Sequence, residues 1–190
     1  MSRLRQISLD GLWYRNPALV QLLGLCPLLA VSNTLANSLG LGIVTLLVLT
    51  CSNLLVSSLR GWLDNSTRLP AQILVIATFV TCADILLQGF FYELHQRIGL
   101  FVALIVTNCT LLARAESFAS RQPLRFAALD GLMMGLGFLL VLVLLGAVRE
   151  ALGQGTVFAD MQLLFGESAR AWKITLGDSG LLLAILPPGA

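Results

Sequence analysis

Two short stretches, Leu22–Ala30 (LLGLCPLLA) and Ile105–Ala113 (IVTNCTLLA), decide how this chain folds. Each places one cysteine, Cys26 or Cys109, in an apolar run, and this cysteine begins the pattern Cys-x-Leu-Leu-Ala. The surrounding runs, residues 18–31 and 98–113, are shorter than the roughly 20 helical residues that cross a hydrocarbon core of about 30 Å. A thiol at corresponding places in two short segments indicates either a shared metal or redox centre or two filler cysteines.

The composition places the chain in a membrane. It has 190 residues, of which 57% are hydrophobic and 12% charged, whereas a soluble domain carries about 25% charged residues. No basic stripe indicates nucleic acid, and all four cysteines lie in apolar runs, which is not where a secreted disulfide framework places them. Arg3 and Arg5 precede no uninterrupted apolar region, so we expect no removable signal peptide.

Further apolar runs predict an all-α integral membrane protein. Residues 39–59 and 71–92 are long enough to span, and Asp130 precedes a run to residue 148, where it can cap the helix. Residues 149–178 form a polar surface loop, in which we expect an amphipathic piece. Residues 181–190 are about half a span, so either a sixth helix is truncated or the chain ends inside the membrane.

The order of these segments predicts two inverted three-helix repeats in one transmembrane domain, residues 1–190. Residues 17–92 form the first repeat and residues 98–190 the second, and each opens with a short or half helix that carries a cysteine. Three crossings separate the two openings, so the second half starts from the opposite face. Interrupted segments at corresponding positions of such halves indicate a binding site near the midplane.

Local sequence favours thiolates at both openings. Pro27 prefers the first position of a helix, which predicts Cys26 at the N-cap, and Thr107 or Asn108 can cap a helix with Cys109 in its first turn. The positive end of a helix stabilises the thiolate, which is the form that binds iron. A cluster typically takes four cysteines, so a partner must supply the other two.

Cys51 and Cys82 could in principle supply those ligands, but neither has a counterpart in the other half, so we interpret them as fillers. Asp84, within the third run, is a possible ion or proton site, and the alternatives are a partly solvated acid or one paired with a neighbouring subunit. His95 is expected in a loop beside Glu93 and Arg97.

Orientation follows from the positions of the basic residues. Eight arginines lie on the side of the N-terminus and four basic residues lie on the other side: Arg3, Arg5, Arg15, Arg60, Arg68, Arg114, Arg121 and Arg125 against Arg97, Arg149, Arg170 and Lys173. The N-terminus is therefore predicted to be cytoplasmic.

A set of longer motifs runs from one end of the chain to the other: Gly11–Trp13, Asn16–Pro17, Leu19–Val31, Ile105–Cys109, Arg114–Glu116, Phe118–Arg121, Asp130–Phe138, Arg149–Glu150, Leu152–Thr156 and Leu186–Ala190. These motifs resemble the NqrD/RnfE family of Rnf electron-transport complexes. The resemblance implies six transmembrane helices, the last incomplete here, in a bacterial inner membrane.

The resemblance also implies a cofactor and partners. Cys26 and Cys109 would hold a [2Fe-2S] cluster, or another four-cysteine iron centre, jointly with two cysteines of the homologous subunit RnfA. RnfB, RnfC, RnfD and RnfG would complete an ion-translocating ferredoxin:NAD oxidoreductase, with flavins and further iron-sulfur clusters in those partners and coupling to sodium or proton movement. The chain has no nucleotide-binding Gly-x-Gly-x-x-Gly after a strand, so we do not expect it to be an enzyme alone.

Two other functions fit the same pattern. Inverted repeats with broken helices are also the architecture of secondary transporters, which would hold an ion or solute and no metal. A purely structural membrane scaffold would tolerate replacement of both cysteines.

Overall fold

The protein is helical in the computed structural model, which describes residues 7, 9–62, 67–154, 156–157 and 174–175. The α-helices are α1 (Leu25–Val31), α2 (Leu35–Leu59), α3 (Arg68–Phe90), α4 (Tyr92–Ala103), α5 (Cys109–Arg114) and α6 (Leu124–Gln154). Short π-helices occupy Asp10–Tyr14 and Ala115–Ala119, and a 3-10 helix occupies Leu104–Thr107. Strands β1 (Thr156–Val157) and β2 (Ile174–Thr175) pair antiparallel, with Thr156 opposite Thr175.

Four helical stretches of the described chain are long and apolar enough to cross a membrane: Leu35–Leu59, Arg68–Phe90, Tyr92–Ala119 and Leu124–Gly153. Helix α1, with seven residues, is too short to do so. The prediction of an all-α multi-pass membrane protein is confirmed, and the small β-ribbon was not predicted.

Helices α2 and α6 form the centre of the fold and run antiparallel. A Cβ added at Gly135 would lie 3.1 Å from the Cα of Leu46, and one added at Gly42 would lie 3.1 Å from the Cγ of Leu139. Glycine therefore permits close packing on both helices, and the two contacts are reciprocal. Such reciprocity fits an inverted repeat, while the complete six-helix repeat stays a prediction.

The third crossing is longer than the sequence indicated. Helix α4 begins at Tyr92, so His95 lies on a helix and not in the predicted loop. Leu94, Ile98 and Val102 are fully or almost fully buried and recur every four residues, and this spacing gives α4 an apolar face that begins before the continuous apolar run.

Two predicted helix starts were wrong. Gly24 and not Cys26 caps α1, which puts Cys26 second and Pro27 third in the helix. Proline fits there because the first N–H groups of a helix have no partner within it. Asp130 does not cap α6, because the helix already begins at Leu124 and the mostly apolar residues 124–129 belong to its first turns.

Residues 149–178 were predicted as a surface loop, but α6 continues to Gln154 and includes the first residues of that range. Strands β1 and β2, which pair with each other, also lie within the predicted loop. The remainder of that loop and the predicted half span at residues 181–190 lie outside the described residues.

Candidate metal centre

Cys26 and Cys109 occupy equivalent places in the two interrupted segments. Cys26 is the second residue of α1, and Cys109 is the first residue of α5. Both thiols are free, and both residues are exposed on this chain. Each cysteine therefore presents its sulfur at the surface from the first turn of a short helix.

An irregular backbone precedes Cys26. Gly24 has φ +75° and Leu22 has φ +54°, so the chain twice enters the left-handed region just before α1. Leucine rarely adopts that conformation, which costs of order 1–3 kcal/mol and persists only where surrounding contacts impose it. The turn before Cys26 is thus held by the rest of the fold.

A side-chain cap precedes Cys109. Asn108 is extended, and its Oδ1 accepts a hydrogen bond of 3.0 Å from the backbone N–H of Thr110. This bond satisfies one of the free N–H groups at the start of α5. The prediction that Asn108 could cap a helix with Cys109 in its first turn is confirmed.

The two helix starts meet beside the middle of α6. A Cβ added at Gly24 would lie 2.8 Å from the Oγ1 of Thr110, 3.1 Å from the Oδ1 of Asn108 and 2.9 Å from the ring of Phe138. Phe138 is the fifteenth residue of the 30-residue span Leu124–Gly153, so this junction lies near half depth. The cysteine-bearing ends of α1 and α5 therefore converge beside the middle of this span.

Asn16 fixes the chain before α1 to α6. This side chain is 1% exposed, and its Nδ2 donates to the carbonyls of Gly137 and Leu12, each at 3.1 Å. Its Oδ1 accepts from the N–H of Ala18 at 3.0 Å. A glycine is needed at Gly137 because a Cβ there would approach the carbonyl oxygen of Gly11 to 2.5 Å.

Charged residues near the end of α6 hold the far end of α1. Arg149 donates to the carbonyl of Leu29 at 2.9 Å and to the hydroxyl of Ser32 at 2.7 Å. The carboxylate of Glu150 accepts from the N–H of Leu35 at 2.7 Å, at the first residue of α2. These two side chains therefore satisfy groups that helix ends leave free.

A buried ion pair holds the far end of α5. Arg114 donates through both Nε and Nη2 to the carboxylate of Asp130, and the Nε bond is 2.9 Å. The guanidinium also lies 5.0 Å from the ring centre of Phe118. Sequence reasoning missed this pair and the Arg149 and Glu150 contacts, although each of the four residues falls within a motif that carried the family resemblance.

The residues at the junction fit part of a metal centre. In the described part of the sequence there is no group of three or more His, Cys, Asp or Glu side chains that could hold a metal ion. Two exposed thiols are soft ligands suited to iron, and a four-thiolate centre needs two further cysteines besides these. The Nδ2 of Asn108 and the Oγ1 of Thr110 are buried beside them without a hydrogen-bond partner.

The other two cysteines lie on the spanning helices. Cys51 is partly buried in α2 and Cys82 is exposed on α3. That both are fillers stays a prediction.

Asp84 has a partner within this chain. Its Oδ1 lies 3.0 Å from the Nε2 of His95, across the turn between α3 and α4. The two side chains are 40% and 22% exposed, respectively. A Cβ added at Gly99 would lie 3.0 Å from the same Nε2, so this glycine leaves room for the ring. Neither residue lies in the elements that bear Cys26 and Cys109.

Comparison with known proteins shows similarity along almost the whole chain. Residues 4–190 match the family described as Rnf-Nqr subunit, membrane protein. The chain is 57% identical over 189 residues to the E subunit of the ion-translocating oxidoreductase complex of Pseudomonas paraeruginosa, covering 98% of this chain and 79% of that relative. Proteins of the same name from Cellvibrio japonicus and Haemophilus ducreyi are 56% and 53% identical, over 98% of this chain and 79% and 83% of theirs.

Proposed function

Because this chain belongs to the Rnf-Nqr family of membrane subunits, we propose that it carries electrons across the membrane through an iron centre on Cys26 and Cys109. The resemblance seen in the sequence is confirmed. The chain is a multi-pass subunit of an ion-translocating oxidoreductase complex, as its relatives are named. The iron centre, the identity of the neighbouring subunits and the coupling ion are the proposal.

One observation carries this function: the cysteine-bearing ends of α1 and α5 meet near half depth and leave both thiols exposed. An apolar layer of about 30 Å separates redox groups on the two faces. A centre in the middle divides that distance into two shorter electron transfers. Exposed thiols also let a second subunit add its own ligands.

We assign the remaining ligands to a homologous subunit, RnfA, and the centre to a [2Fe-2S] cluster. Such a cluster supplies one-electron redox chemistry when four thiolates bind it. The residues of this chain would position the two thiols, because the cap at Asn108 fixes the start of α5 and the anchor at Asn16 fixes the chain before α1. The subunits RnfB, RnfC, RnfD and RnfG, with their flavins and iron-sulfur clusters, would deliver and accept the electrons.

The same proposal includes the location. The chain would lie in a bacterial inner membrane with a cytoplasmic N-terminus, since eight of its twelve basic residues fall on that side. Moving one electron across the potential is worth about 2.3 kcal/mol per 100 mV, so this path can couple redox chemistry to sodium or proton movement.

The test uses the complete complex with Cys26→Ala, Cys109→Ala and, as a matched control, Cys82→Ala. Cys82 is also exposed and free but lies on α3. We expect each of the first two variants to assemble, to lose one iron-sulfur signal in the EPR spectrum together with the corresponding iron, and to lose ferredoxin:NAD activity. The control should keep all three. Full iron and electron transfer in both first variants would refute the proposal.

A secondary transporter without metal is the second candidate, and the Asp84–His95 pair is the observation that favours it. A carboxylate and an imidazole 3.0 Å apart can share a proton, and an acid within a spanning helix is a functional candidate. Asp84→Asn should then abolish ion movement in vesicles while leaving the iron-sulfur signals intact. Unchanged ion movement would remove Asp84 as an ion site.

A further inference from the structure

A small recess with two arginines lies where α2 ends and α3 begins, away from the cysteines. It has a volume of about 20 Å³ and opens to the surface. Its lining combines apolar and polar side chains: Val56, Leu59, Arg60, Arg68, Ala71, Gln72, Val75 and Ser120. Among the described residues, none that lines it is acidic.

The arginines are suited to an anion. Arg60 is exposed at the end of α2, and Arg68 is the first residue of α3. The Nε of Arg68 is buried and has no hydrogen-bond partner. A buried guanidinium N–H without an acceptor costs free energy unless a ligand supplies one.

The surroundings are suited to a lipid. Val56, Leu59, Ala71 and Val75 give the recess an apolar floor, and Val56 and Val75 pack there with the buried side chains of Ala115, Ala119 and Ala127. Trp62, three residues after Leu59, is 92% exposed, and tryptophan at such helix ends lies at the level of lipid headgroups. Behind the recess, the carboxylate of Glu116 accepts a hydrogen bond of 3.0 Å from the Nε2 of Gln72.

We propose that this recess binds an anionic phospholipid, whose phosphate is held by Arg60 and Arg68. The cavity, at about 20 Å³, is too small for a headgroup, so the phosphate lies at its mouth and the acyl chains stay in the surrounding bilayer. Guanidinium groups bind phosphate oxygens with charge-assisted, often bidentate hydrogen bonds. Basic pockets between transmembrane helices bind anionic headgroups in this way.

The test is native mass spectrometry of the complete complex released from nanodiscs that contain phosphatidylglycerol and phosphatidylcholine in equal amounts. Arg60→Gln/Arg68→Gln should weaken phosphatidylglycerol binding by roughly tenfold or more and remove one retained molecule. Arg121→Gln/Arg125→Gln is the control, because these two exposed arginines lie at the same end of the fold and outside the recess. The control should retain phosphatidylglycerol as the unmodified complex does.

Other outcomes overturn the proposal. Equal retention of both lipids, or equal loss in both arginine pairs, would mean that the recess has no specificity for an anionic headgroup. Arginine-dependent binding of inorganic phosphate without retained phosphatidylglycerol would assign the site to a soluble anion. If the double variant fails to assemble, Arg60→Gln alone changes only an exposed side chain and should still lower retention.

Discussion

The two helix breaks bring the starts of α1 and α5 together by different means. The break before Cys26 has two residues in the left-handed region and no side-chain cap, and Asn16 ties the preceding chain to a helix 121 residues away. The break before Cys109 lies within one continuous crossing and is capped by its own neighbour, Asn108. The first break therefore depends on tertiary contacts, and the second depends mainly on local sequence.

The two breaks also differ in how the C-terminal ends of the short helices α1 and α5 are fixed. The end of α1 is held by a hydrogen bond that Arg149 donates to the carbonyl of Leu29, and Glu150 accepts one from the N–H of Leu35 at the start of α2. Helix α5 is held by the ion pair of Arg114 with Asp130, whose side chains are 10% and 3% exposed. Loss of one partner of that pair leaves a buried charge without a counter-ion, which is strongly destabilising. The end of α5 is therefore more sensitive to a single substitution than the end of α1, although its start depends mainly on local sequence.

The largest effect should follow from breaking that pair. Arg114→Met should lower stability by about 3–5 kcal/mol, because Asp130 would stay buried without a counter-ion. Thermal unfolding of the purified complex measures this loss. The double variant Arg114→Met/Asp130→Leu should recover a large part of it, and no recovery would show that Arg114 acts through its stacking on Phe118 and not through the carboxylate.

The next effect tests the turn before Cys26. Gly24→Ala should cost about 2–4 kcal/mol, from left-handed strain together with crowding of Thr110 and Phe138. Midpoint temperatures should fall relative to the control Gly61→Ala, since a Cβ at Gly61 meets nothing within 4 Å. Equal midpoints for the two variants would mean that the helix starts are not closely packed.

Prediction from sequence succeeded where the signal is local. The spans, the short first helix and the cap at Asn108 each depend on residues within a few positions of one another. The exact start of α1 was missed because proline is also tolerated at the third position of a helix.

Contacts between distant segments were not predictable in the same way. Arg149 and Leu29 are 120 residues apart, and Glu150 and Leu35 are 115 apart. The contact between Asp84 and His95, which are only 11 residues apart, was also missed, because His95 was expected in a loop before the start of α4. In each case, the residue type indicated a buried or functional group, while the partner became visible only when the helices were packed.

A third prediction compares the two asparagines directly. Asn16→Ala should cost about 1–3 kcal/mol, because the N–H of Ala18 and the carbonyl of Gly137 would lose their partner in the interior. Asn108→Ala should cost about 1 kcal/mol, typical of a lost cap. Unfolding midpoints of both variants, measured in the complete complex, show which substitution costs more stability. A larger loss for Asn108→Ala than for Asn16→Ala would contradict the view that the first break depends more on tertiary contacts.

The smallest effect should come from Asn108→Ser. Serine keeps an oxygen that can accept from the N–H of Thr110 and removes the amide Nδ2, which is buried without a partner. Stability should therefore stay within about 0.5 kcal/mol of the unmodified protein. If Asn108→Ser instead lost as much stability as Asn108→Ala, the amide itself would be required, and its donor would have to meet a group supplied by the metal centre or by the subunit that shares it.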